Sequence, residues 1–454
     1  MPVLAQTNLT SHSSQALSPA PLSSNTSSTS SVISQFSTPS TQNFSLVSYP
    51  TTTVSSLASS TSVSSSAEPT STGPVLAPAS FNHPGLLQSD KDFARIRSKL
   101  ADGEEPWTTA WNKLLESSYA SSSYVPNPVA IVYRGYDGTN AENYGQLYRD
   151  VAAAYVLAIR WAITQESEFG DAALRIMDAW SSTLTALSGT VDLYLAAGIY
   201  GYEFAQAGEI MRDYEGWSTA KFQQFKDMMT NVFYKPVDGW FTGHENWASY
   251  APGVYANWDL SLIASAMSIG VLADDPAIYN QGISWFYNGT GNGQINEAVP
   301  FSHFYDNQLL GQTMESGRDQ GHNTLNMALL GVIGQTAYNQ GNDLFAYNGS
   351  IILAASEYVA RYNLGYDVPY TPYDNGWIDM PTISNSSRGS IRPNWELLYN
   401  HYGVLKNENV TWTKQFRDLV VSDNGGAEGG SGDYGPNGGG YDQLGWGTLL
   451  YTLK

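Results

Sequence analysis

The chain contains no cysteine. That absence removes disulfides, zinc–thiolate sites and cysteine nucleophiles together, so the fold must hold by packing and the chemistry must come from oxygen and nitrogen groups. Cations are scarce too: 21 Lys and Arg face 41 Asp and Glu, the formal net charge is −20, and six His complete the basic inventory. Nucleic acid or an anionic membrane needs basic character spread over a face, so neither is expected as a partner. No apolar run approaches the roughly 20 residues that span a bilayer. Met1-Pro2-Val3-Leu4-Ala5 lacks the basic and apolar regions of a secretory signal, so a signal is expected to have been removed or to lie upstream.

What is present is aromatic. With 42% hydrophobic residues, 13 Trp and 30 Tyr, the chain has ample material for a large core. That material starts abruptly. Residues 1–80 are mostly Ser, Thr, Pro, Ala and Val with almost no charge. Such a segment cannot bury enough apolar surface to offset chain entropy, and a disordered linker is expected there, followed by one domain over 81–454. Seven Asn-x-Ser/Thr sequons, at Asn8, Asn25, Asn43, Asn288, Asn348, Asn385 and Asn409, fit a secreted, extracellular glycoprotein.

From Phe81 the apolar spacing is helical. Leu147, Val151, Ala154, Leu157, Ala158 and Trp161 recur at three- and four-residue steps, as one buried helical face requires. Similar patterns cover 90–101, 105–117, 168–187, 191–210, 217–234, 257–274, 276–287, 320–339, 350–362 and 395–402. Leu444 to Tyr451 reads as a short strand or an extended tail. So many amphipathic helices in antiparallel succession predict a mainly α fold, an α/α toroid or incomplete α/α barrel. No strict internal repeat accompanies them.

Glu315-Ser316-Gly317-Arg318-Asp319-Gln320-Gly321-His322-Asn323 gathers an arginine, a histidine and two carboxylates at one turn-to-helix junction. In a chain this poor in cations, it reads as a site for an anion. Other motifs are weaker: the Gly-rich stretch from Asp423 to Gly440 lacks the Lys-Ser/Thr ending of a phosphate loop, and no calcium-loop pattern accompanies the acidic stretch Asp367 to Asp379. No metal or cofactor is expected.

His83-Pro84-Gly85-Leu86-Leu87, Tyr255-Ala256-Asn257-Trp258-Asp259, the Glu315–His322 segment, Pro393-Asn394-Trp395-Glu396 with Tyr399-Asn400-His401-Tyr402, and Gly445-Trp446-Gly447-Thr448 occur in this order. Together they resemble the alginate lyase domain superfamily, and within it the glucuronan and alginate lyases of polysaccharide lyase family 38. The resemblance runs from about Asn82 to Lys454. It implies an α/α toroid acting on 1,4-linked uronic acid polymers by β-elimination without a redox cofactor, with an anionic polysaccharide as partner; a monomer is expected.

Elimination removes the C5 proton beside a carboxylate, so that carboxylate must be neutralised. Arg pairs with it through parallel hydrogen bonds, and Asn or His adds donors; Arg318, His322 and Asn257 are the candidates. In β-D-glucuronate and β-D-mannuronate the C5 hydrogen and the C4 oxygen share a ring face, so one tyrosine can take the proton and return one. In L-guluronate the faces differ and a second residue is needed. Tyr305 is the tyrosine candidate, with Tyr250 and Tyr255 as rivals, and His244 is the base candidate for the opposite face. Asn246, Trp247, Tyr255, Glu315 and Gln320 are expected to contact substrate. His244-Glu245-Asn246-Trp247 departs from the Asn-Asn-His order of the better-known branch, which leaves Asn246 and Asn257 as alternatives for the carboxylate. Two other readings stay open: a toroidal glycoside hydrolase using a pair drawn from Glu245, Asp259, Glu315 and Asp319, and a non-catalytic carbohydrate-binding protein.

Overall fold

Helix starts follow the local chemistry. Ser89 precedes α1 (Asp90–Ala101), and its backbone N–H donates to the Asp92 carboxylate at 2.9 Å. Asp275 caps α10 (Pro276–Asn288) by accepting from Ala277 N at 2.9 Å, with proline at the first position. Asp319 does the same for α12 (Gln320–Asn339), accepting from His322 N at 2.9 Å. The computed structural model describes residues 76–243, 255–375, 378–435 and 438–454, and Pro69–Lys454 behaves as one unit. Ala77 N, inside the segment expected to be linker, donates to Asn280 Oδ1 at 2.6 Å.

In chain order, α1 and α2 (Trp107–Glu116) lead to strand β1 (Ile131–Arg134), then α3 (Tyr144–Thr164) and α4 (Ser167–Thr183). Strand β2 (Ala186–Gly189) pairs parallel with β1, Ile131 opposite Ala186. A short α5 (Leu193–Leu195) passes through a π-helical turn into α6 (Gly201–Ile210), and α7 (Thr219–Met228) passes through another into α8 (Lys235–Gly243). After α9 (Ala256–Ala273), α10 and α11 (Ile295–Ala298) comes the antiparallel hairpin β3 (Phe301–Tyr305) and β4 (Gln308–Gln312). Then follow α12, α13 (Tyr347–Asn363), the two-residue strands β5 (Tyr373–Asp374) and β6 (Asp379–Met380), α14 (Trp395–Tyr399), α15 (Thr411–Asp423) and α16 (Gly447–Tyr451).

Packing neighbours close a ring. α3 touches α6, α6 touches α9, α9 touches α12, and the circuit returns through α14, α16 and α1 to α3. Outside it, α4 packs on α3, α10 on α9 and α13 on α12. This is the expected α/α toroid. Close approach inside the ring depends on glycine: a Cβ on Gly198 would lie 2.2 Å from Ser261 Oγ, and one on Gly201 2.3 Å from Ser265 Oγ. α9 is apolar enough to span a membrane by composition, but it is buried within the ring.

α9 and α12 run side by side in the same direction. At their beginnings Asn257 Nδ2 donates to Glu315 Oε1 at 2.6 Å. At their ends Asn82 and His83 join them, with Asn82 N donating to Gln340 Oε1 at 2.9 Å and His83 Nε2 lying 2.9 Å from Asp274 Oδ1. The first ends carry the Glu315–His322 cluster.

The predicted strand at Leu444 to Tyr451 is not formed. Trp446 adopts a left-handed φ of 62° and turns the chain into α16. The ring of Trp446 lies flush on Gly430, where a Cβ would come within 2.1 Å of it, so burial of the indole overrides the extended preference of the local sequence.

Beneath α14 two carboxyl groups are buried together. Glu396 accepts from Asn400 Nδ2 at 2.9 Å and Thr448 Oγ1 at 2.8 Å, while Glu428 accepts from Glu396 N at 3.1 Å. Burial, then the neighbouring Glu396, pushes Glu428 up to about 8. Because the folded state holds this proton more tightly than the unfolded chain, stability falls as pH rises from about 4.5, the usual glutamate range, toward 8. Glu428→Gln is therefore expected to lose roughly 2–4 °C less in Tm between pH 5 and pH 8 than the parent. Parallel pH–Tm curves for the two proteins would remove Glu428 as the titrating group.

Candidate active site

Arg318 sits in the turn between β4 and α12 with a guanidinium that is loosely held. Its Nη1 lies 3.5 Å from Glu315 Oε2 and its Nε 3.7 Å from Asp319 Oδ2. Arg212, elsewhere in the fold, is by contrast tied by bonds of 2.7–3.1 Å to Glu209, Asp274 and Leu272 O. The Arg318 side chain retains 23% exposure, which leaves donors for an incoming carboxylate. The ring of Tyr255, the residue before α9, lies under the guanidinium at 3.5 Å from carbon to centroid.

On the other side stands His322. Its Nδ1 lies 2.6 Å from Asp319 Oδ2, a contact in which Nδ1–H donates to the carboxylate and orients the ring. The imidazole is 38% exposed. Burial works against the Asp319 charge, but the His322 contacts and the Arg318 charge outweigh it and hold this carboxyl down to about 2. The stability that ionised Asp319 contributes is therefore present above the usual aspartate range and fades as pH falls toward 2.

Below these groups lies a buried layer. Glu315 is fully buried, and burial raises it above the usual glutamate range although Arg318 and His322 pull it down. Gln320 is buried as well, with Nε2 donating to Ser384 O at 3.0 Å and Oε1 accepting from Asn323 and Asn363, each at 3.0 Å. The two residues were expected to touch substrate; both instead bond to protein groups and support the turn from within. Asn257 is 2% exposed with its amide on Glu315, so it too acts from beneath. Tyr373 closes the layer, its hydroxyl accepting from Gly317 N at 3.2 Å and donating to Met314 O; burial pushes that phenol up to about 12.

Tyr305 is elsewhere. It ends β3 at the hairpin turn, opposite Gln308, and its ring faces Arg361 at 4.7 Å. Gln308 and Gln312 stand four positions apart along β4, roughly 14 Å at strand rise, so the hairpin carries Tyr305 away from the turn that holds Arg318. Arg361 is itself committed to Asp306 at 2.6 Å and Asp367 O at 2.8 Å. Of the other expected residues, His244, Asn246, Trp247 and the rival Tyr250 lie outside the described residues. The structure thus brings Arg318, His322, Tyr255, Asn257 and Glu315 together and leaves Tyr305 out.

Two partners were missed. Asp319 enters the sequence reading as a carboxylate of the anion cluster and of the hydrolase reading, not as the partner of His322, although its three-residue spacing to His322 at a helix start is the signal for a carboxylate–imidazole pair. Arg392 is the other: its Nε donates to Gly321 O at 3.0 Å and its Nη1 to Gly439 O at 2.7 Å, pinning the first turn of α12 to the Gly-rich segment. Nothing in the local sequence of Arg392 announced this. The carboxylate pair of a hydrolase is also absent among the described residues. Asp259 is buried under bonds from Trp240 Nε1 at 2.7 Å and Gly293 N at 3.1 Å, Glu315 is sealed, and Asp319 is engaged by His322.

No curated protein matches the sequence. Among solved structures the chain is similar to alginate lyase A1-III from Sphingomonas species A1, at 16% identity and a TM-score of 0.51 over 82% of this chain and 98% of that one. It is also similar to a histidine-to-alanine variant of alginate lyase A1-III complexed with a tetrasaccharide, at 15% identity and a TM-score of 0.55 over 83% and 98%. At such identities the likeness speaks to the toroid. The alginate lyase family model matches residues 104–367, a span that covers most of the ring and includes the Arg318 turn. The chain belongs to the alginate lyase family and is a polysaccharide lyase.

Proposed function

We propose that the protein is a secreted enzyme that cleaves 1,4-linked uronan, either mannuronate-rich alginate or β-1,4-glucuronan, by β-elimination at the Arg318 turn. The observation that carries this is the loosely held guanidinium set between the Tyr255 ring and the Asp319-oriented imidazole of His322. Arg318 pairs with the uronate carboxylate and stabilises the enolate charge as the C5 proton leaves. In mannuronate or glucuronate, Tyr255 reacting as its phenolate takes that proton and passes it to the C4 oxygen as the C4–O bond breaks, which restores the phenolate. In guluronate, His322 Nε2 takes the proton from the opposite face while Tyr255 protonates the leaving oxygen. The similar structure carrying a tetrasaccharide supports a polymer substrate. Secretion is supported by the acidity and by exposed sequon residues Asn348, Asn385 and Asn409.

The test is product chemistry. Elimination leaves a conjugated C4–C5 double bond that absorbs in the ultraviolet, whereas hydrolysis leaves reducing ends without it. Incubation with polymannuronate, polyguluronate, glucuronan and a neutral glucan is expected to give ultraviolet-absorbing oligosaccharides from mannuronan or glucuronan and none from the neutral glucan. Reducing ends without absorbance would overturn the elimination reading.

A further inference from the structure

The far end of α12 borders a second concavity. A cavity of about 700 Å³ opens there, with Asn82, His83, Lys91, Arg95, Tyr338 and His401 among its lining. His322 and Tyr338 are sixteen residues apart on one helix, roughly 24 Å at helical rise, so this cavity is separate from the Arg318 turn. The volume lies within the range of small-molecule sites.

Its lining departs from what a packed helix end needs. α12 is buried almost throughout its second half, yet Gln335, Tyr338 and Asn339, spaced to share one face, are half-exposed and all three line the cavity. His401, whose ring meets that of Tyr338 edge-on at 4.9 Å, and the α1 residues Asp90, Lys91, Asp92 and Arg95 share the lining. His401 is 5% exposed and its buried Nε2 has no hydrogen-bond partner, the condition in which an absent ligand or water is the ordinary explanation. Burial pushes that imidazole down to about 4, so it meets a ligand uncharged. The cationic groups of the wall are Lys91, Arg95 and His83, which Glu209 at 2.5 Å and Asp274 at 2.9 Å hold. Asp92 is already matched by Arg95 Nη1 at 2.6 Å, while Lys91 makes no ion pair with a described residue and stays exposed on α1. Among the described residues, Lys91 is the one cation of this wall left to meet a ligand carboxylate, and the amides with a tyrosine ring suit sugar hydroxyls and a sugar face.

We propose that this cavity is a non-catalytic binding site for a short uronate oligosaccharide. This rests on the uronan reading for the ligand class, while the site itself rests on the lining. Occupation there would let the enzyme hold a second segment of the polymer, or its own product, without competing for Arg318.

The experiment is calorimetric titration of a uronate trisaccharide into an Arg318→Ala protein, which does not consume the ligand, alongside a neutral trisaccharide. Binding is expected to weaken at least tenfold when Tyr338→Ala or Lys91→Ala is added. Hydrogen exchange is expected to slow in peptides covering 82–95 and 335–339. Lys91 is exposed on α1, so its variant tests the site even where Tyr338→Ala disturbs the fold. Unchanged affinity in both variants, or protection confined to the beginnings of α9 and α12, would overturn the site. Equal or tighter binding of the neutral sugar would overturn the uronate assignment. The ultraviolet assay on the parent reports on elimination separately, so failure of that reading and failure of this one give different results.

Discussion

Arg318→Lys is expected to cut turnover on the preferred uronan by about tenfold or more, and Arg318→Ala by roughly 10²–10³-fold. Lysine keeps the charge but cannot offer the paired donors that match a carboxylate. In this site it would also lose the planar face that lies on Tyr255 at 3.5 Å, so the phenol and the cation would no longer fix each other. The stability effect should be smaller. The contacts that Arg318 makes with Glu315 and Asp319 are 3.5 Å and longer, and Glu315, already raised by burial, can take up a proton when its neighbour is gone. Steady-state kinetics with thermal unfolding of the same samples separates the two effects. Wild-type turnover in a folded Arg318→Lys protein would remove Arg318 from the chemistry.

Much of the ring was legible because its helices bury wide faces. The spacing of Leu147, Val151, Ala154 and Leu157 can only be helical, and the capping residues Ser89, Asp275 and Asp319 mark where three helices begin. α15 was not foreseen. It buries only Thr413, Phe416 and Val420, a stripe too narrow and too polar to stand out from a loop. The hairpin of β3 and β4 does not stand out in the sequence because it exposes Phe304 and Leu309 at 77% and 41%, which blurs the alternation that marks a strand. Tyr305 looks well placed in the sequence for the same reason: an unpaired stretch can fold back on Arg318, whereas a paired strand holds Tyr305 at the hairpin turn.

The candidate site was legible in its cation and opaque in its layering. An arginine and a histidine four residues apart at a helix start announce an anion site in any chain so acidic. Which polar groups face substrate and which lie beneath is set by tertiary packing. Glu315 and Gln320 carry groups that could bind a sugar, but Tyr373 and Ser384 cover this turn, and sequence spacing does not report that cover. Asn257 was assigned to the carboxylate for its chemistry, while its neighbour in space, the sealed Glu315, was not visible as its partner.

Tyr255→Phe is expected to lower turnover on mannuronan or glucuronan by roughly 10²–10⁴-fold, the range of acid–base catalysis by one side chain, with little change in polymer binding. The substitution deletes one oxygen and keeps the ring that supports Arg318, so a loss of kcat at nearly constant KM separates proton transfer from positioning. Tyr305→Phe serves as the comparison, since that ring lies against Arg361, and near-normal turnover is expected from it. His322→Ala should damage any polyguluronate activity more than cleavage of the other substrates, because only guluronate needs a base on the opposite ring face. Asp319→Asn should follow His322→Ala in direction but be milder: the imidazole remains, yet the acceptor at 2.6 Å that selects its tautomer is weakened. Retention of turnover by Tyr255→Phe on every uronan would exclude that hydroxyl and move the proton transfer to Tyr250 or His244, which lie outside the described residues. Equal losses for His322→Ala on both substrate types would instead assign the imidazole to holding the carboxylate beside Arg318, where the face of the ring no longer matters.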